Sequence, residues 1–211
     1  MSAAERPTVI VCVDFKQPRA YLAHRATRAL EAELRTEFDW QPFIVPALKP
    51  PPDARADEDR GTMHRRLRAQ YNERDLVRYA RRLGLPLHDL YRDVDSTAAA
   101  LGLLWCRQQR GDLARRYVDA VFGQRWSGSL DLADVDAIAV VIDGLGGDSK
   151  SWGGYAAGDG AAALAASQQA LRDAGVFDVP AYLLDDEVYL GRQHLPMLRW
   201  MLTERSGEPP L

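Results

Sequence analysis

The run Gly175-Val176-Phe177-Asp178-Val179-Pro180, followed by Ala181-Tyr182-Leu183-Leu184 and the acidic pair Asp185-Asp186, constrains this chain more than any other stretch. A short apolar run opening on an X-Pro bond reads as a strand whose first residue cannot donate to a ladder. The tertiary amide also admits a cis bond there at a cost of roughly 0.5–1 kcal/mol. A cis proline at a strand start turns unpaired backbone groups outward, ready to pair with the backbone of a peptide-like ligand. The stretch is therefore a candidate wall of a binding site.

The rest of the chain supplies a frame for that wall. Thr8 to Phe15 is β-branched and apolar with little polar interruption, which suits a strand covered on both faces. Pro18 opens a helix through about Glu33, its missing N–H costing nothing at the first helical position. Phe38 to Val45 reads as a second strand, with Pro42 marking an edge or a bulge. Strand, helix, strand in this order suggests a right-handed crossover unit. Pro46 to Thr62, with three consecutive prolines, reads as a loop, either a lid or a solvated excursion. Helical patterns follow over His64–Leu83, stopped by Gly84, then Ser96–Gln109, a helix capped by Asp112 through Phe122, Asp134–Gly144 and Ala161–Ala174. Two short strands, Ala181–Leu184 and Val188–Leu190, flank an acidic turn to which no chemistry is assigned. Leu195 to Leu202 closes the chain as a helix, and the tail from Ser206 reads as frayed. The expected fold class is α/β, one domain over 1–211. Residues 1–62 and 171–205 form a thioredoxin-like part, and 63–170 form an all-helical insertion.

Composition narrows the function classes. With 211 residues, 46% of them hydrophobic, the chain can bury a sizeable core. A net charge of −3 argues against nucleic acid as a partner, although all basic residues except Lys16, Lys49 and Lys150 are arginine. No run approaches the ~18 apolar residues of a membrane span. The first residues, Met1 to Pro7, lack the basic start and apolar core of a secretory signal, so a cytoplasmic location is expected. Cys12 and Cys106 each sit among apolar neighbours and read as buried thiols rather than a disulfide.

Three familiar site patterns fall short. Gly144-Leu145-Gly146-Gly147-Asp148-Ser149-Lys150-Ser151 lacks the glycine that a phosphate loop needs before its lysine, and Gly153 and Gly154 would break the following helix. It reads as a glycine-rich loop between helices. The histidines (His24, His64, His88, His194) have no metal-ligand spacing, so no metal is expected. There is no Gly-x-Ser-x-Gly elbow.

Three blocks together resemble one family. Val13-Asp14-Phe15-Lys16-Gln17-Pro18-Arg19-Ala20-Tyr21-Leu22-Ala23 is similar to the opening of the DsbA-like superfamily. Within it, the pattern Asp-Phe-x-Ser-Pro-Tyr-x-Tyr-Leu belongs to the branch of 2-hydroxychromene-2-carboxylate isomerase and kappa-class glutathione transferase. Arg65 to Pro86, with Tyr71, Asp75, Arg78, Ala80, Gly84 and Pro86, resembles the same family's helical signature. Gly175 to Gly191 resembles its Gly-Val-Phe-Gly-Val-Pro-Thr…Glu-x-x-x-Gly signature.

The resemblance implies a glutathione-dependent isomerase or transferase acting on a small conjugated or aromatic carboxylate, with dimerisation as in related folds. In such isomerases a glutathione thiolate adds to a conjugated substrate, lets a bond rotate and is expelled. Gln17 stands where the family has serine or a redox cysteine, and its amide can donate a hydrogen bond to a thiolate but cannot act as a nucleophile. Pro18, Val179 and Pro180 would hold the cofactor. Lys16, Arg19 and Arg192 would supply charge, with Arg192 and Gln193 in place of the Ser-Asp or Asn-Asp that often follows the glycine matching Gly191. An acidic contact to the ligand amine is thereby lost and a cation gained. The alternatives are a catalytically silent DsbA-like binding protein and, third, a thiol-disulfide oxidoreductase, which needs a reactive Cys12 or Cys106.

Overall fold

The structure, a computed structural model, describes residues 8–55, 57–203, 205 and 207–210. Met1 to Pro7, on which the targeting expectation rests, lie outside the described residues, as do Ser206 and Leu211 of the tail expected to fray.

The sheet is made at both ends of the chain. β1 (Ile10–Val13), α1 (Pro18–Leu34) and β2 (Asp39–Pro42) open it, and β3 (Ala181–Leu184) and β4 (Glu187–Leu190) complete it in the order β2-β1-β3-β4. β1 runs parallel to β2 and antiparallel to β3, with Ile10 opposite Asp39 and Leu183. Val11, Cys12 and Val13 are buried in succession, as a central strand covered on both faces requires. Pro42 is the last residue of β2, an edge strand, where its missing donor breaks no ladder. β3 and β4 turn at Asp185-Asp186, both with positive φ (51° and 64°), as a two-residue hairpin of the primed type demands.

Between β2 and β3 lie α2 (Arg60–Leu83), α3 (Thr97–Arg107), α4 (Leu113–Ser127), α5 (Val135–Gly144), α6 (Ser149–Ala157) and α7 (Gly160–Asp173). A short 3-10 turn, Arg192–His194, leads into α8 (Leu195–Leu202). One hydrophobic cluster joins the sheet to the helices, running from Val11 and Phe15 through Leu103, Phe122 and Trp126 to Ile138 and Trp152.

Helix ends explain four of the boundaries. The Asp59, Asp134 and Asp148 side chains cap α2, α5 and α6 by accepting backbone N–H groups of the first turn. α7 stops in a Schellman motif: the Val176 N–H bonds Leu171 O, the Gly175 N–H bonds Arg172 O (both 2.9 Å), and Gly175 takes φ +92°. Val176 and Leu171 are both buried, which supplies the apolar contact of that motif.

Two sequence expectations are corrected. Ser149 to Ala157 is a helix that runs through Gly153 and Gly154, because the Asp148 cap and fully buried Trp152 outweigh the glycine cost of about 1 kcal/mol each. Asp112 starts α4 without capping it by its side chain; its carboxylate is spent on Arg116 Nε at 2.8 Å.

Candidate functional site

The loop from β1 to α1 is held from behind. Asp14, nearly fully buried, accepts the N–H of Lys16 (3.2 Å) and of Val45 (3.0 Å) and pairs with the Lys16 ammonium (2.8 Å). Lys16 Nζ also donates to Ser96 Oγ at 3.0 Å, so the residue opening α3 uses its hydroxyl on the loop instead of as a cap. Trp126 Nε1 donates to Phe15 O at 3.1 Å, and the Trp126 ring stacks on Tyr21 with centroids 5.3 Å apart. These contacts fix where α1 starts.

Gln17 is the N-cap residue of α1, with Pro18 at the first helical position and no acidic residue in the first turn. That leaves the partial positive charge of the helix end without a side-chain anion of its own. Gln17 itself is buried, and its amide nitrogen donates to Pro46 O at 2.5 Å. The Pro46 end of the long loop is thereby tied to the site.

Beside this helix start lies a cavity of about 640 Å³ bounded by α1, α2 and the β3-β4 end of the sheet. Its lining includes Arg19, Tyr71, Asp75, Tyr79, Val179 and Arg192. The Val179–Pro180 bond is cis. Pro180 O accepts the Gly191 N–H at 2.8 Å, which closes the wall between β3 and β4. Gly191 takes φ +89°, a region open to glycine, and lets Gln193 fold back so that its amide donates to Leu190 O at 2.6 Å.

The charges of the cavity come as two pairs. Arg19 faces Asp178 at 3.3 Å, and Arg192 faces Asp75 at 3.4 Å. The Arg192 guanidinium also lies over the Tyr79 ring, 3.5 Å from its centroid, and Asp75 is shared with Arg78. Cations and carboxylates therefore alternate around one opening, an arrangement suited to a small ligand carrying both signs of charge.

Of the residues singled out in sequence, Arg19, Val179, Pro180, Arg192 and Gln193 line this cavity together. Lys16 and Gln17 do not: one ammonium is spent on Asp14, and the Gln17 amide nitrogen on Pro46. Pro18 lies at the start of α1 outside the lining. Asp75 and Asp178 were not singled out as site residues. Their partners lie 117 and 159 positions away, and the sole signal available was their place inside two family-like blocks.

Both thiols are free and buried, and burial pushes each up to about 12. Neither lies at the α1 N-terminus, so the thiolate that redox exchange requires is suppressed. Among the described residues no group of His, Cys, Asp or Glu could hold a metal ion, and no helix is long and apolar enough to cross a membrane.

Comparison with solved structures gives one fold throughout. A 2-hydroxychromene-2-carboxylate isomerase aligns over 94% of this chain and 95% of its own, with TM-score 0.71 and 20% identity. A probable DsbA oxidoreductase from Streptomyces coelicolor aligns over 97% and 92%, with TM-score 0.68 and 23% identity. The cytosolic disulfide reductase DsbM from Pseudomonas aeruginosa, solved with GSH, aligns over 94% and 98%, with TM-score 0.62 and 16% identity. At such identities the likeness is one of fold. No curated protein sequence matches the chain. The DSBA-like thioredoxin domain matches residues 8–202, nearly the whole sequence and all the elements described above, and the chain belongs to that family.

Proposed function

We propose that this protein is a glutathione-dependent isomerase-like enzyme acting on a small conjugated or aromatic carboxylate. The observation that carries the reading is the cavity between α1, α2 and Val179–Pro180, which has paired charges on its lining and no cysteine at the helix start beside it. Its volume of about 640 Å³ lies within the usual range for small-molecule sites, roughly 300–1,000 Å³. Glutathione carries two carboxylates and one ammonium, and the lining offers Arg19 and Arg192 for the former and Asp75 for the latter. The residues present thus fit the tripeptide in size and in sign. When bound, it supplies a nucleophilic sulfur that adds reversibly to a conjugated bond.

The chain's own part is binding and orientation. Arg19 and Arg192 hold carboxylates, the Val179 backbone lines the wall against which a peptide-like ligand lies, and the open N-terminus of α1 favours negative charge nearby. The likeness in fold to the isomerase supports this reading, as does the DsbM structure solved with GSH. The test is titration of the purified protein with glutathione by calorimetry, with turnover of 2-hydroxychromene-2-carboxylate followed in parallel. Absence of both binding and isomerisation overturns the reading.

A second reading has one observation in its favour. The Gln17 amide nitrogen is engaged with Pro46 O and its side chain is buried, which suits a binding protein that kept the fold without the chemistry. Gln17→Ser separates the two: turnover appearing in the variant alone favours the silent protein, and loss of existing turnover makes glutamine the working residue.

A further inference from the structure

The Val179 N–H, the backbone donor at the cavity wall, is already occupied by the chain itself. It donates to Asp178 Oδ1 at 2.8 Å, while Asp178 Oδ2 stands 3.3 Å from Arg19 Nη1. One carboxylate therefore bridges a backbone N–H to a guanidinium, and all three residues line the same cavity. This is the contact pattern expected of a bound carboxylic acid, with both oxygens engaged by charge-assisted donors.

The bridge is also easy to exchange. The Arg19 and Asp178 side chains are each 43% exposed, and ion pairs of that kind contribute about 0–1 kcal/mol. Asp178 has no other hydrogen-bond or ion-pair partner among the described residues. Turning it outward to water would free two donors that point at one spot, and a ligand carboxylate arriving there regains both bonds.

We propose that Arg19 and the Val179 N–H form a carboxylate subsite, which Asp178 fills in the free protein and yields to the carboxylate of an entering ligand. Asp178 is then a built-in competitor that sets how strongly acids bind relative to neutral analogues. The inference rests on reading the cavity as the ligand site, and it adds which two donors take the acid and what they hold beforehand. The acid is either that of the conjugated substrate or one of the two of glutathione.

The experiment is calorimetric titration of wild type, Asp178→Ala, Asp178→Asn and Arg19→Gln/Asp178→Ala with trans-cinnamate, trans-cinnamamide and glutathione. Cinnamate, glutathione or both are expected to bind Asp178→Ala about tenfold more tightly than wild type, which corresponds to one recovered charge-assisted bond. Cinnamamide gains nothing, and the double variant loses the gain. A gain with cinnamate alone assigns the subsite to the substrate acid, and a gain with glutathione alone assigns it to the cofactor. Asp178→Asn, which keeps an acceptor for the Val179 N–H, shows a smaller gain and secures the result if the alanine variant folds poorly. As an independent readout on wild type, the Val179 amide resonance shifts on saturation with the acid that gains and stays in place with cinnamamide. Equal affinities across wild type and both Asp178 variants, or no acid binding to any of them, overturns the subsite. A gain in cinnamate binding without glutathione binding or turnover on any variant keeps the subsite and removes the isomerase reading.

Discussion

The Lys16 ammonium lies 2.8 Å from the Asp14 carboxylate, and the two side chains are 6% and 0% exposed. A cation placed next to the start of α1 is thus directed into the protein, where it joins the β1-α1 loop to α3 through Ser96. Its work is structural, and the cations that line the cavity are Arg19 and Arg192 instead.

Lys16→Met should therefore act on stability. The variant leaves a buried carboxylate without its counter-ion, a loss of about 3–5 kcal/mol. Urea denaturation monitored by tryptophan fluorescence measures it. An unchanged midpoint combined with weaker ligand binding would instead put Lys16 in the ligand's path.

The two thiols give the protein an alkaline weakness. Cys12 and Cys106 are raised from the ordinary 9.0 to about 12 by burial. Between those limits the unfolded chain gives up protons that the folded chain keeps. Stability is accordingly intact below about pH 9 and declines as pH rises towards 12. The slope is about 1.4 kcal/mol per pH unit for each thiol. Buried Tyr117 and Tyr182, also raised by burial, act in the same direction. Denaturation curves at pH 9, 10 and 11 should show the decline, and a Cys12→Ala/Cys106→Ala chain should show a flatter one. Parallel slopes for the two chains would disprove the thiol contribution. Native protein at pH 8 should also leave both thiols unmodified by an alkylating reagent until it is unfolded.

Arg192 combines a charge with a flat surface. It pairs with Asp75 and stacks on Tyr79, so Arg192→Lys keeps the charge and loses the stack. Glutathione affinity should drop about tenfold in Arg192→Ala, one charge-assisted bond. The lysine variant should recover part of that loss. Full recovery by lysine would mean that charge alone matters there.

Gly175→Ala isolates a backbone cost. A Cβ at Gly175 would meet only Val188 Cγ2 at 3.7 Å, an ordinary contact, so the penalty arises from φ +92°. A loss of about 1–2 kcal/mol is expected in thermal or urea unfolding, with the helical content unchanged. A larger loss would indicate that the Schellman turn sets the position of the whole Val176–Pro180 segment.

How far the sequence discloses this molecule depends on the range of each interaction. Strands such as β1, Ile10–Val13 inside the expected Thr8–Phe15, and turns such as Asp185-Asp186 are local matters of β-branching and positive φ, and they read from neighbouring residues. The three blocks that resemble the isomerase branch identified the family, because their order spans the chain. α6 was hidden because glycine propensity is local while the burial of Trp152, which overrides it, is tertiary. The charge pattern of the cavity was hidden for the same reason: Asp75 meets Arg192, and Asp178 meets Arg19, only after the helical segment has folded back onto the sheet. Lys16 reads as a site cation until Ser96, 80 positions on, is seen to accept its hydrogen bond.

The two sides of the cavity are anchored very unequally. Val179 belongs to the main core, whereas α2, over 24 residues, buries only Leu76 and Ala80, which meet Leu22 in a small separate cluster. The α2 side of the cleft is therefore held by a small apolar cluster apart from the main core, together with the Arg192 contacts to Asp75 and Tyr79. Substitutions at Leu22, Leu76 or Ala80 would thus reshape the α2 side of the cavity while leaving the sheet, Val179 and the main core in place.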